Sequence, residues 1–268
     1  MQEENVAFLK NNIKYLGFDE KVGEEMVAQI KEGNPAFYLE ASNTYHNKTV
    51  DYKLQFSQST ETGRYFFNRY EAQLGEGSEN AGRKQLFYVE KGRGVTAKEA
   101  FNLLEGRYVH KSLVNKAGKS YDAHMRLDFG STDERGYHKT VSYTAAYGYK
   151  LEEILAKVPI KEMLDPEVRE QLIRSLDRGN LQMVTIDTGE HLGRYYITPD
   201  PVKGLNMFDE KLNAVDPKDL GLNLRFKRNV AEAEKTTVEQ KGETKLQSQK
   251  QAETPTEKQE KKQRIKIS

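Results

Sequence analysis

Asp187-Thr188-Gly189 is the loop tripeptide of aspartic proteases, and that chemistry needs two carboxylates about 3 Å apart sharing one proton. The tripeptide follows Val184-Thr185-Ile186, has no second copy and lacks the apolar psi-loop residues expected downstream. Asp and Gly are also what a hairpin turn demands, so the tripeptide reads as a turn. The histidines are His46, His110, His124, His138 and His191. A turn from Asn115 to Lys119 that pairs Val114 with Ser120 sets His110 opposite His124, Val109 opposite Met125 and Leu113 opposite Tyr121. Two cross-strand histidines beside Asp122 and Asp128 make His110 and His124 weak candidates for zinc. Their face alternates with the core face, so it is expected to be wet and merely polar, with no metal. Lys91-Gly92-Arg93-Gly94-Val95 precedes a capped helix whose N-terminus would attract phosphate. Its spacing fits neither a P-loop nor a dinucleotide fingerprint, and a turn into a helix explains it. The chain contains no HExxH, GxSxG, nucleophile–base pair or EF-hand pattern. No cofactor and no catalytic residue are expected.

The elements that would position these residues follow from periodicity. Val6, Leu9, Ile13 and Leu16 recur at helical spacing up to Gly17, and Val22, Met26, Val27 and Ile30 do so up to Gly33. The period then switches to two: Val50, Tyr52, Leu54 and Phe56 alternate with polar residues, as in a strand with one buried face. Strands are expected around Phe37 and Leu39, Tyr65 to Phe67 and Leu86 to Val89. Thr96 and Glu99 form a capping box ahead of Ala100, Phe101, Leu103 and Leu104, and Gly106 stops that helix. A strand from Tyr108 to Val114 leads to a second with Tyr121, Ala123, Met125, Leu127 and Phe129 inward and Asp122, His124, Arg126 and Asp128 outward. After a turn from Gly130 to Gly136 comes a strand with Val141 and Tyr143. A short helix carries Leu151, Ile154, Leu155 and Val158. Asp165 as N-cap and Pro166 at the first position open the next helix, which ends at Gly179. Further strands are expected near Met183 to Ile186, Tyr195 to Ile197 and Leu205 to Phe208.

Gly33, Gly106 and Gly179 lie 73 residues apart, each closing an apolar helix ahead of a strand. The expected fold class is therefore α+β, built of repeated units of a glycine-capped helix followed by an antiparallel hairpin or meander. The units are placed at 1–91, 92–150 and 151–224, with a disordered basic tail at 225–268. That tail holds 12 of the 42 Lys and Arg and 7 of the 41 Asp and Glu, a net of +5, leaving −4 on the body. Its Glu, Lys, Gln and Thr cannot bury enough apolar area to offset chain entropy. The absence of cysteine excludes disulfides and thiolate chemistry and fits a reducing cytoplasm. The start Met1-Gln2-Glu3-Glu4-Asn5 has neither the basic n-region nor the apolar h-region of a signal peptide, so a cytoplasmic protein is expected, and no apolar run is long enough to span a membrane.

Asn5 to Phe18, Tyr65 to Tyr70, Ala100 to Arg107 and Pro159 to Glu162 resemble, in order, segments of a domain-of-unknown-function family encoded on Bacteroidetes conjugative transposons and mobile elements. So do the phrase Leu176 to Asn180 and the basic C-terminal tail. The resemblance implies a genomic context and carries no catalytic residues. The expected function is a non-enzymatic binding or accessory module, associated with DNA or RNA or with a conjugation or DNA-processing protein, and with no membrane. The expected nucleic-acid contacts are Arg225, Lys227, Arg228, Lys261, Lys262, Arg264 and Lys266, since Lys and Arg neutralise phosphate. The alternatives are a protein-binding or inhibitor module acting through a sheet edge, and a cryptic metal-dependent hydrolase.

Overall fold

The computed structural model describes residues 3–89, 94–114 and 118–228. Two helices open the chain, α1 (Glu3–Tyr15) and α2 (Glu20–Lys31), and a four-stranded antiparallel meander follows: β1 (Ala36–Tyr45), β2 (Lys48–Gln58), β3 (Tyr65–Leu74) and β4 (Lys84–Tyr88). Helix α3 (Ala97–Leu104) leads to a three-stranded meander, β5 (Val109–Val114), β6 (Ser120–Thr132) and β7 (His138–Thr144). Then come the short α4 (Leu151–Leu155), α5 (Pro166–Asp177) and a second four-stranded meander of β8 (Gln182–Asp187), β9 (Leu192–Asp200), β10 (Gly204–Phe208) and β11 (Ala214–Val215). The α+β class is thus observed. No helix among the described residues is long and apolar enough to cross a membrane.

The helix ends follow their caps. Asp19 and Asp165 accept backbone N–H bonds at the starts of α2 and α5, and Thr96 with Glu99 closes the capping box of α3. Gly33, Gly106 and Gly179 all take left-handed φ, at 78°, 85° and 76°. Each glycine N–H bonds three residues back and the following N–H five residues back, the paired bonds that satisfy the last orphan carbonyls of a helix.

The apolar residues sort into two cores. The first runs from Leu9 to Leu127 and includes both opening helices, the inner face of the first sheet, α3, and Val109, Met125 and Leu127 from the three-stranded sheet. The boundary expected between 91 and 92 therefore does not separate cores. In this core Phe37 stacks on Phe56 and Phe56 on Phe67, with centroids 5.1 and 4.7 Å apart. The hydroxyls of Tyr52 and Tyr70 donate to the carbonyls of Ala97 and Val95, pinning the entry to α3 while leaving no buried hydroxyl unpaired there. The second core is mainly aliphatic, from Leu151, Ile154 and Leu155 through Leu172, Leu176, Val184, Ile186 and Ile197 to Leu224, with the buried rings of Tyr147 and Tyr149 at one end. Phe226 packs against it, edge-on to Tyr149 at 5.5 Å. Folded chain thus continues past the expected tail start at Arg225; residues 229–268 lie outside the described residues.

Candidate functional site

One irregularity shapes the outer side of the first sheet. Gln55 pairs with Arg69 but Phe56 with Phe67, so Asn68 is an extra residue on β3. Such a bulge lets Phe67 and Tyr70 both point inward although they are three residues apart, and turns Asn68 and Arg69 outward together. Pairing then aligns Tyr38, Gln55, Arg69 and Tyr88 as one row across the four strands on the solvent side. The Arg69 Nε donates to Gln55 Oε1 at 2.5 Å, and Asn68 donates to Ser57. Tyr38 is 55% and Phe66 47% exposed. Glu40, Lys53, Glu71 and Leu86 form the next row, with the Lys53 ammonium 4.6 Å over the Tyr38 ring.

The β6–β7 hairpin leans over this face. Gln85, buried on β4, accepts the His138 N–H and donates to the His138 carbonyl, so its amide substitutes for a strand partner. That bond holds Tyr137 where its hydroxyl donates to Glu71 at 2.5 Å. Lys84 and Arg135 lie 5.8 and 5.7 Å from the Tyr137 ring. Tyr38, Lys53, Gln55, Arg69, Arg135 and Tyr137 thereby line an open groove of about 320 Å³. Periodicity could mark Tyr38 and Lys53 as outward residues, but the bulge and the arching hairpin are tertiary features.

The histidine pair stands elsewhere. The register sets His110 opposite His124, Val109 opposite Met125 and Leu113 opposite Tyr121, as the strand pattern predicts, with residues 115–117 of the turn outside the described residues. The expectation of a wet face fails at His124, which is only 9% exposed. The C-terminus of α5 and the Tyr149 ring cover it, with Tyr149 edge-on at 4.9 Å. Asp177 Oδ1 lies 3.9 Å from His110 Nδ1 and 4.0 Å from His124 Nε2, and the latter nitrogen has no hydrogen-bond partner. Burial, with the His110 charge behind it, draws the His124 imidazole down to about 3. Burial raises the Asp177 carboxyl, against the pull of His110 and with Glu152 adding to it. A tetrahedral zinc with bonds of about 2.0–2.2 Å would hold its ligand atoms roughly 3.3 Å apart. These groups stand wider, and no group of three His, Cys, Asp or Glu among the described residues is placed to hold an ion.

Asp187-Thr188-Gly189 forms the β8–β9 turn: Asp187 accepts the Gly189 N–H, Gly189 has φ 82°, and Lys161 pairs with the carboxylate at 3.2 Å. Lys91 to Arg93 fall outside the described residues. Of the expected tail contacts, Arg225 and Lys227 are exposed. The Arg225 carbonyl accepts from Lys157, and the Arg228 guanidinium donates to the Val202 carbonyl. Lys261, Lys262, Arg264 and Lys266 lie outside the described residues. No family model, curated protein or solved structure matches the chain.

Proposed function

We propose that the chain is a non-enzymatic binding module of a mobile genetic element that holds single-stranded nucleic acid across the outer face of its first sheet. The row Tyr38, Gln55, Arg69 and Tyr88, flanked by Lys53 and Arg135, carries this reading. Rings exposed on a strand surface offer stacking platforms to any base, and neighbouring cations follow the phosphates. Glu40, Asp51 and Glu71 beside Lys53 repel phosphate, so the strand's path stays on the Tyr38–Tyr88 row and the Phe66–Asn68 side of it. The basic tail from Arg225 adds sequence-independent attraction. The mobile-element context is supported by the segments from Asn5 to Asn180 that resemble that family. Three helix–meander stretches with caps at Gly33, Gly106 and Gly179 support a further reading, that they are diverged copies of one unit.

Fluorescence anisotropy with a labelled oligothymidylate tests the proposal. Tyr38→Ala and Arg69→Ala should each weaken binding by roughly 5-fold or more, at about 1–3 kcal/mol per stacked base. Truncation after Arg228 should flatten the salt dependence. Equal binding by wild type and both sheet variants would refute the site.

One observation favours a protein partner instead. Strand β1 is an edge of its sheet, and among the described residues no strand pairs with its outer side. Gln58 donates to the Pro35 carbonyl, so the backbone groups of Ala36, Tyr38, Glu40, Ser42 and Thr44 face away from β2. They are free to receive an added strand. Capture of a polypeptide that protects these amides from hydrogen exchange, without nucleic-acid binding, would move the function to this edge.

A further inference from the structure

At the far end of the first sheet, β1 and β2 are joined by the two-residue turn His46-Asn47, both at left-handed φ, 50° and 62°. A turn of this kind matches the twist of a hairpin and carries His46 to the tip. Lys48, the first residue of β2, sets its ammonium 2.5 Å from Glu105 Oε2, and Ser78 donates to Glu105 Oε1 at 2.6 Å. Across the tip, Tyr45 lies on Phe101 with centroids 4.9 Å apart. Two cations cover this ring pair: Lys98 Nζ is 5.8 Å from the Tyr45 centroid, and Arg107 Cζ is 4.8 Å from that of Phe101.

Glu105 is already bonded to Lys48 and Ser78. Among the described residues the Arg107 guanidinium makes no hydrogen bond or ion pair, although it has five donors and is half-buried. Charges withdrawn from water are ordinarily paired. Lys48 and Arg107 lie at the C-terminal end of α3, where cations suit the helix dipole, but Arg83 already donates to the Leu104 carbonyl there. Lys98 is in the first turn of α3, where that explanation does not reach.

The geometry points to an anion site for a phosphate group, formed by Arg107, Lys98 and Lys48 around the Tyr45–Phe101 pair, with His46 at its rim. Arg107 supplies the forked donors that match phosphate oxygens; Lys98 and Lys48 supply charge. The electrostatics agree with this placement. Burial lowers the His46 imidazole first, and the charges of Arg107, Lys98 and Lys48 lower it further. Burial brings the Arg107 guanidinium down to about 10, with Glu105 pulling upward. Burial opposes ionisation of Glu105, but its bonds to Lys48 and Ser78 and the charges of Lys48 and Arg107 hold it below the usual carboxylate range. The site stands whether or not the outer sheet face binds single strands.

The probe is inorganic phosphate titrated into the full chain at constant ionic strength, followed by the His46 ring signals in NMR. Phosphate should raise the His46 titration midpoint more than chloride does. Arg107→Gln should weaken phosphate on the order of tenfold, as expected for lost hydrogen bonds to a charged group. Lys98→Gln, an exposed change that leaves the core intact, should weaken it several-fold, and Tyr38→Ala should leave it unchanged. Displacement of phosphate by an unphosphorylated oligothymidylate would assign the site to backbone phosphodiesters; displacement by a phosphomonoester alone would assign it to free phosphate ligands. A His46 midpoint no more sensitive to phosphate than to chloride would overturn the site, as would equal binding by wild type and both basic-residue variants.

Discussion

The two four-stranded meanders share a plan and differ on both faces. Inside, β1–β4 present Phe37, Tyr52, Phe56, Phe67, Tyr70 and Phe87, whereas β8–β11 present Val184, Ile186, Ile197, Leu205 and Met207. Outside, the first sheet shows the row Tyr38, Gln55, Arg69 and Tyr88, and the second shows Met183, Tyr196, Phe208 and Ala214. An aromatic core held by tyrosine hydroxyls is stiff backing for a polar, ring-bearing surface. The aliphatic sheet lacks cations in its matching row. Similar topology is thus compatible with different duties, because a sheet's ligand face is set by its outward residues while its inward residues set only its packing.

The cores offer the largest expected difference. Phe56→Ala, at the centre of stacked rings, should cost about 3–5 kcal/mol in urea unfolding, whereas Ile186→Val in the second core should cost about 0.5–1.5 kcal/mol. A cost well below 3 kcal/mol for Phe56→Ala would contradict the view that ring packing organises the first sheet. The helix ends sharpen the contrast. An alanine Cβ at Gly33 meets no atom within 4 Å, but at Gly179 it would stand 2.6 Å from the Tyr108 carbonyl and 2.9 Å from Val109. Gly33→Ala should therefore cost only the left-handed strain of about 1–2 kcal/mol. Gly179→Ala should exceed it measurably, because it also pushes α5 off β5.

The joint between the two regions is polar and titratable. Asn102 reaches from α3 to the Arg178 carbonyl and the Asn180 side chain, beside the His110, His124 and Asp177 cluster. His124 has a folded value near 3 against about 6.5 unfolded, so the unfolded chain takes up its proton first. Stability from this group is complete above about pH 6.5 and is lost as pH falls toward 3, by about 2 kcal/mol at pH 5. Asp177, whose folded value is raised, acts in the opposite sense: its contribution is full below the unfolded value and is lost as pH rises through the folded one. His124→Phe should flatten the urea midpoint between pH 5 and 7. An unchanged slope in that variant would assign the pH dependence to other groups.

Much of the fold was legible because it depends on local chemistry. The capping box at Thr96, the caps at Asp165 and Pro166, the glycine stops and the β5–β6 register all follow from neighbouring residues. What escaped depends on distant ones. His124 alternates correctly along its strand yet is buried, because α5 arrives from more than 40 residues downstream. The pattern Tyr65 to Tyr70 conceals the Asn68 bulge, since a run of aromatic residues on both faces has no clean period. Phe226 sits in polar sequence, and it is its contacts with Tyr147 and Tyr149, with the Arg228 bond to the Val202 carbonyl, that show the folded chain passing Arg225. The outer row of the first sheet spans four strands and was invisible as a unit.

That row carries the central claim, and the contrast between the two outer faces tests it most directly. Oligothymidylate binding should be measured at two salt concentrations for wild type, for Tyr38→Ala with Arg69→Ala, and for Met183→Ser with Tyr196→Ala. The first pair should weaken binding by more than tenfold, from lost stacking and one lost phosphate contact, and should lessen the salt slope. The second pair should leave both affinity and slope unchanged. Retention of full affinity by the first pair, or an equal loss in the second, would contradict nucleic-acid recognition by the first sheet.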